Sequence, residues 1–310
     1  MIENIHLITG AYKFVRNYHY TLIEKKRAKI LGEIKINTHM NDKILEKRLF
    51  ECSLLSSHNS YLSNYQNFDS SDIGNIQFLI ELGVRCLEFD VYYINGVLKV
   101  GHGTKNIKYD FLTTNLIKLE DIFILIKDKA FRDFSDMPLI INLELLTKGD
   151  REAHRKIAEK IRKYFYGYIL HSKFENAKMN LGWVKLKHLR KKIIFITGDK
   201  LGENDPLAKY INAYSYKLCE IVKEVPENYI LNLSDKQFYC NKKLVKEHIK
   251  KKGLVRIYPR ASLMHHFSSN YYYNDMLKIG VQMCALNIQQ MGQIAVDYIY
   301  DFDKNGGSIY

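Results

Sequence analysis

From about residue 50 onward, short apolar and β-branched runs alternate with longer stretches of helical periodicity. The runs are Phe50–Ser56, Val84–Tyr93, Leu139–Glu144, Ile193–Thr197, Tyr229–Leu233, Leu254–Tyr258 and Val281–Ile288. Between them, Ile73–Leu82, Leu119–Phe131, Arg151–Phe165, Ala208–Val222, Lys236–Lys251 and Tyr273–Ile279 read as helices. Strands separated by helices predict parallel βα units. An eighth strand is expected at Val296–Phe302 or at the end of the chain. The fold class is therefore α/β, a TIM-type (β/α)8 barrel with room for distortion, whose reactive groups sit at the C-terminal ends of the strands. Ahead of this rhythm, residues 1–45 are a basic extension. Its Leu22–Glu33 run, dense in Lys and Glu, reads as a helix.

The polar residues follow the barrel rule. His58 and Asn59 come just after the first run, Glu88 and Asp90 end the core of the second, and Glu144 ends the third. Ser234 ends the fifth, and Arg256 and Tyr258 end the sixth. In Leu87-Glu88-Phe89-Asp90-Val91 the two carboxylates share one face of a strand, with apolar neighbours on the other. Paired carboxylates repel unless a cation sits between them, and oxygen donors suit a hard cation such as Ca2+ or Mg2+. Glu144 and the side-chain oxygen of Asn59 would complete a four-residue cage. Taken alone, such a pair also serves ordinary salt bridges and helix caps.

Two histidines join this set. His58 lies in Ser56-Ser57-His58-Asn59-Ser60-Tyr61-Leu62, and His102 is flanked by Gly101 and Gly103, which permit close approach of a ligand. Two histidines beside a cation and carboxylates supply what phosphodiester cleavage needs: charge stabilisation at phosphorus and a proton for the leaving oxygen. The other histidines, His265 and His266 among them, read as structural or surface residues.

Composition narrows the setting. The 310 residues are 46% hydrophobic with only four prolines, which is globular and without a long linker. The formal net charge of +13 suits a polyanion, either nucleic acid or an anionic membrane, although lysine-rich faces also simply keep a protein soluble. The five cysteines are scattered and form no CxxC pair, which argues against a disulfide framework or a zinc site and for a reducing compartment. No stretch approaches the roughly 20 apolar residues of a membrane span, and no signal-peptide layout opens the chain. The expectation is a cytoplasmic protein that touches membranes peripherally.

Taken together, these motifs resemble the eukaryotic phosphoinositide-specific phospholipase C family. Ser56–Leu62, Gly83–Asp90, His102-Gly103 and Pro138–Glu144 resemble its X half. Val255–Pro259, Ser268–Tyr271 and Gly280–Asn287 resemble its Y half, and Asp303–Gly307 its end-of-barrel stretch. The resemblance implies an X half over 46–200, a short connection over 201–210 and a Y half over 211–310. It implies that His58 stabilises the transition state and that His102 is the acid toward the diacylglycerol oxygen. Asn59, Glu88, Asp90 and Glu144 would bind Ca2+, one of the carboxylates also serving as base, with Glu88 and Glu144 in the catalytic set. Ser234, Arg256 and Tyr258 would hold the inositol head group, Arg256 through the bidentate fit of guanidinium to phosphate.

The sequence departs from the family in its short X–Y connection, which leaves no room for a regulatory insert, and at the ring-phosphate positions. The two lysines that hold the ring 4- and 5-phosphates are matched here by Thr197 and Asp199, so either Lys200, next in line, serves as a substitute cation or the preference moves toward less phosphorylated phosphatidylinositol. The resemblance also leaves no room for EF-hands, a pleckstrin-type module or a C2-like sandwich, so attachment to an anionic, phosphoinositide-containing membrane is expected from the barrel itself. Leu263, Met264 and Phe267 are candidates to insert, or equally to pack within their loop. A glycerophosphodiester-type barrel phosphodiesterase is the nearest rival, opposed by His58-Asn59 and by the Arg256–Pro259 and Ser268–Tyr271 segments. A non-catalytic lipid-binding module is a second. No motif supports nucleic-acid binding beyond charge.

Overall fold

The computed structural model describes residues 21–34, 36–63, 70–103, 115–132, 135–170, 172–217, 225–226, 228–260 and 268–309. Its strands are β1 (Ser53–Ser57), β2 (Cys86–Ile94), β3 (Val97–Val100), β4 (Ile117–Lys118), β5 (Leu139–Leu145), β6 (Ile193–Thr197), β7 (Ile211–Lys217), β8 (Tyr229–Ser234), β9 (Val255–Tyr258), β10 (Met283–Leu286) and β11 (Ser308–Ile309). Its helices are α1 (21–33), α2 (Asp42–Glu46), α3 (Ile73–Leu82), α4 (Leu119–Lys129), α5 (Arg151–Phe165), α6 (Leu186–Leu189), α7 (Asp235–Cys240), α8 (Lys242–Lys250), α9 (Asn274–Lys278) and α10 (Gln293–Lys304).

Strands β1, β2, β5, β6, β7, β8, β9 and β10 pair in parallel, in chain order, and β1 returns to β2 to close a barrel. The closing seam is the short one. A single bridge, Ser56↔Cys86, joins β1 to β2, whereas β2 and β5 run together from Cys86↔Ile140 to Val91↔Leu145. Above the bridge β2 turns to β3 as an antiparallel hairpin, and below it β11 fills the edge of β1. This is the distortion the sequence left room for.

Alternation sets what faces the lumen. Leu54, Cys86, Ile140, Ile194, Ala213, Ile230 and Met283 form an apolar floor, while the intervening residues Leu55, Leu87, Ile141, Phe195, Leu231, Ile257 and Leu286 pack outward under the helices. Two positions further along, the lumen turns polar on five strands, at Ser56, Glu88, Asn142, Ser215 and Asn232, and stays apolar at Ile196 and Ala285. The helices follow local rules. Asp72 caps α3 through Gly74 N at 2.8 Å, and Gly83 ends it at φ 101°, where a Cβ would stand 3.0 Å from Ile36. Helix α5 begins at the Asp150 cap and buries Ala153, His154, Ile157, Ala158, Ile161 and Phe165 on one face.

Three expectations are corrected. The remaining barrel strand is β7, inside the stretch read as a helix over Ala208–Val222. Register slips between Phe195 and Ile196, which face Ile211 and Ala213, leaving Asn212 as the extra residue. Asn212 takes the Phe195 amide at 2.9 Å and donates to Phe174 O at 3.2 Å. That bulge breaks the two-residue period and leaves Ile211 and Tyr214 at a helix-like spacing. Val296–Phe302 is instead part of α10, where Ala295, Tyr298, Ile299 and Phe302 are buried at helical spacing. The helix read over Lys236–Lys251 is two, α7 and α8, meeting at Asn241.

Candidate active site

The polar layers of the lumen meet at the C-terminal mouth, in a cleft of about 540 Å³ lined by His58, Glu88, Asn142, Glu144, Gly198, Asp199, Ser215, Asn232, Arg256 and Tyr258. Glu88, Asn142 and Arg256 lie two residues below Asp90, Glu144 and Tyr258 on their strands, so alternation turns each pair inward.

Glu88 is the hub. It is 4% exposed, and its two oxygens serve different neighbours. Oε1 accepts from Asn142 Nδ2 at 2.9 Å and lies 2.9 Å from Arg256 Nη2. The latter is an ion pair without hydrogen-bond alignment, since Nη2 and Nε of Arg256 have no hydrogen-bond acceptor. Oε2 accepts from the Asn59 amide at 3.1 Å and sits 3.6 Å from His58 Nε2. Arg256, 1% exposed, also donates from Nη1 to Asn232 Oδ1 at 3.2 Å. Burial works against its charge, but Glu88 and further neighbours more than offset this and hold the guanidinium above its ordinary value.

His58 is oriented by Asn287. Its Nδ1 is 2.9 Å from Asn287 Oδ1. The amide is fixed the right way round, because Asn287 Nδ2 donates to the Ser268 carbonyl at 3.0 Å, which can only accept. The proton of the neutral ring is therefore on Nδ1, and Nε2 faces Glu88. Burial lowers the His58 pKa below its ordinary value, with Glu88 pulling the other way. The ring lies nearly parallel to Tyr258, 12° between planes and 6.3 Å between centroids.

Tyr61 ties the second half of the site together. Its hydroxyl, wholly buried, donates to Asp90 Oδ2 at 2.9 Å and lies 3.3 Å from Asn59 Oδ1 and 3.5 Å from His102 Nδ1. His102 Nδ1 stands 3.7 Å from Asp90 Oδ2. Burial, with Glu144 and Glu88 nearby, raises the Asp90 carboxyl to about 6, although His102 pulls it down. Asn59 holds its place with φ 47°, a left-handed conformation that asparagine tolerates better than most residues.

The donor set suits a hard cation by chemistry. Asn59, Glu88, Asp90 and Glu144 offer only oxygens, and Asp90 Oδ1 is buried with no hydrogen-bond partner. It is not drawn together as a closed cage: among the described residues no three of His, Cys, Asp and Glu converge as a metal site. Glu88 is held toward Arg256, and Asp90 toward Tyr61.

Two sequence-predicted head-group residues stand apart from the cleft lining. Ser234 lies beside Tyr258 in register, but its Oγ caps α7 by accepting the Gln237 amide at 3.3 Å. Lys200 is exposed and does not line the cleft, whereas Asp199 does. Sequence reasoning gave no role to Tyr61, Asn142, Ser215, Asn232 or Asn287. The two-residue period on strands already assigned would have found Asn142 and Asn232.

The phosphatidylinositol-specific phospholipase C X-domain model matches residues 45–198, and the Y-domain model matches residues 205–310. The 1-phosphatidylinositol 4,5-bisphosphate phosphodiesterase delta-4 of Xenopus laevis is 27% identical over 286 aligned residues, 76% of this chain and 36% of that protein. The chain thus spans little more than a third of that curated relative. Among solved structures, PLC21 of L. pealei superposes with a TM-score of 0.70 at 18% identity, covering 88% of this chain and 38% of that one. The calcium-dependent phosphoinositol-specific phospholipase C of Pseudomonas sp. superposes at 0.56 and 12% identity, covering 82% and 95%. At such identities the structures speak for the barrel alone. With X and Y matches in order on the two sets of barrel strands, the chain belongs to the phosphatidylinositol-specific phospholipase C family.

Proposed function

We propose that this chain is a calcium-dependent phosphoinositide-specific phospholipase C, a phosphoric diester hydrolase that releases diacylglycerol and an inositol phosphate through a cyclic intermediate. The observation that carries the reading is that Glu88 and Tyr61 tie two histidines to Asn59 and Asp90, while His58, Glu88 and Glu144 line one cleft. In this reading β1, β2, β5 and β6 form the X half, residues 201–210 connect, and β7 to β10 form the Y half.

The inositol 2-hydroxyl attacks phosphorus and passes its proton to one of the carboxylates, with Glu88 and Glu144 in the cleft lining to receive it. His58, held at Nδ1 by Asn287, stabilises charge on the phosphorane oxygens as an imidazolium that donates from Nε2. As the bond to the diacylglycerol oxygen breaks, His102 supplies its proton. Water then opens the cyclic phosphate. Asn59, Glu88, Asp90 and Glu144 would hold Ca2+, which when bound neutralises phosphate charge and lowers the pKa of the attacking hydroxyl. Arg256 and Tyr258 face the head group, with Ser234 at the rim and Lys200 further out.

The substrate lies in a membrane, and the net charge of +13 suits an anionic surface at about 1 kcal/mol per lysine or arginine close to it. None of the described helices is long and apolar enough to cross a membrane. In this reading attachment is peripheral, from the cytoplasmic side. The insertion candidates Leu263, Met264 and Phe267 lie outside the described residues. The test is calcium-dependent release of inositol phosphates from phosphatidylinositol-containing vesicles, with His58→Ala and His102→Ala as controls. Product identity matters: glycerol phosphate from a deacylated lipid in place of inositol phosphate, or lipid binding without turnover, would overturn the reading.

A further inference from the structure

We infer that the cleft is built for an inositol ring without phosphomonoesters at its far edge, and that Asp199 is the residue that sets this preference. The inference rests on the phospholipase C reading and names its substrate.

The charge at the cleft runs against further phosphates. Among the described residues its lining brings three carboxylates, Glu88, Glu144 and Asp199, against one permanent cation, Arg256. That cation is already matched, its Nη2 standing 2.9 Å from Glu88 Oε1. A divalent cation on the acidic side would balance the lining and still leave only the phosphodiester's single charge to be met. Each ring phosphomonoester adds about −1.5 to −2. No lysine of the described residues lines the cleft to receive it, and Lys200 is turned out to solvent.

Asp199 is free for this role. It follows β6 directly, where the Thr197 hydroxyl accepts its backbone amide at 3.3 Å. Its carboxylate has no hydrogen bond or ion pair with the described residues, so it shapes no local structure and meets whatever enters the cleft. Like-charge opposition of this kind acts as a filter, rejecting one ligand class without strengthening another.

The remaining polar groups are those a polyol needs. Asn142 gives one amide hydrogen to Glu88 and keeps its carbonyl oxygen. Asn232 gives its oxygen to Arg256 and keeps its amide nitrogen. Ser215 keeps its hydroxyl, and Tyr258 adds an aromatic side chain to the lining. Neutral donors and acceptors beside an aromatic side chain match ring hydroxyls and hold no surplus positive charge.

The experiment compares phosphatidylinositol with its 4,5-bisphosphate at equal mole fraction in vesicles of otherwise identical lipid and at saturating calcium. The wild-type chain is expected to favour phosphatidylinositol by about tenfold or more in kcat/KM. Asp199→Asn should shrink that ratio and Asp199→Lys should shrink it further or reverse it. A wild-type preference for the bisphosphate, or a ratio unmoved by either substitution, overturns the inference. Binding of the soluble head groups, inositol 1-phosphate against inositol 1,4,5-trisphosphate, is measured by calorimetry in parallel. If no lipid is turned over, the enzymatic reading fails while the head-group ratio still decides this one: tighter trisphosphate binding by the wild type sinks it, and a switch toward trisphosphate in Asp199→Lys supports it.

Discussion

Arg256 and Glu88 form a buried ion pair, 2.9 Å apart, in which a head-group candidate and a metal-ligand candidate hold each other. Either one left alone would be an uncompensated charge at the bottom of the cleft, since both are less than one-twentieth exposed. Arg256→Met is therefore expected to cost about 3–5 kcal/mol of stability in chelator. Saturating calcium should return part of this loss, because a cation would then face Glu88. Denaturant unfolding with and without calcium checks it, and a calcium-independent deficit counts against Glu88 as a ligand.

Asn287→Ala removes the acceptor that fixes the His58 ring. The expected outcome is a kcat about 10–100-fold lower with KM little changed, since the group acts through His58 and stands outside the cleft lining. Asn287→Asp should recover part of the rate by restoring an acceptor. A loss confined to KM would assign Asn287 to binding instead.

Tyr61→Phe deletes one hydroxyl and with it the contacts to Asp90, Asn59 and His102. Calcium affinity, measured by titration calorimetry, should weaken by about 10–100-fold. Stability should fall by only about 1 kcal/mol. Unchanged affinity would mean that the aspartate keeps its place without the phenol.

Away from the site, Glu120 links α4 to α5 through Lys160, Tyr164 and Lys163, and these partners depress its carboxyl to about 2. A depressed acid adds stability above its unfolded value of 4.5 and loses that contribution as pH falls through about 2. Glu120→Gln should therefore melt below the wild type from pH 7 down to about 4.5, with the gap closing as pH drops toward 2. A gap that stays constant over that acid range would show that the network adds nothing through charge.

The strand-end residues were legible because alternation on a parallel strand is a rigid rule. Glu88 with Asp90 and Arg256 with Tyr258 fall where that rule puts them, and α3 and α5 keep the bounds read from their periodicity. Strand β7 was illegible because Asn212 breaks the two-residue period, and a bulge is set by its neighbours in space. Ser234 shows another limit. A serine at a strand end signals a ligand hydroxyl and a helix cap equally well, and here Gln237 three residues later completes a capping box. Tyr61 and Asn287 work across long stretches of chain, on Asp90 and His58, and no local spacing announces such a partner.

The short seam between β1 and β2 carries a consequence for how the molecule fails. Beyond the one bridge at Ser56 and Cys86, the edges are held by Arg85 N on Leu55 O at 2.9 Å below it and, above it, by Ser60 N on Glu88 O at 3.2 Å, Glu88 N on Ser60 Oγ at 3.0 Å and Asn59 N on the Glu88 carboxylate. The upper part of the clasp is thus made of the atoms that assemble the site. Opening it would strip Glu88 of Asn59 and His58 while the other strand pairs stayed ladder-bonded. Such a chain would keep its helix and sheet signals and lose its chemistry, so competence is governed by local closure of this one edge, and global stability is a poor proxy for it.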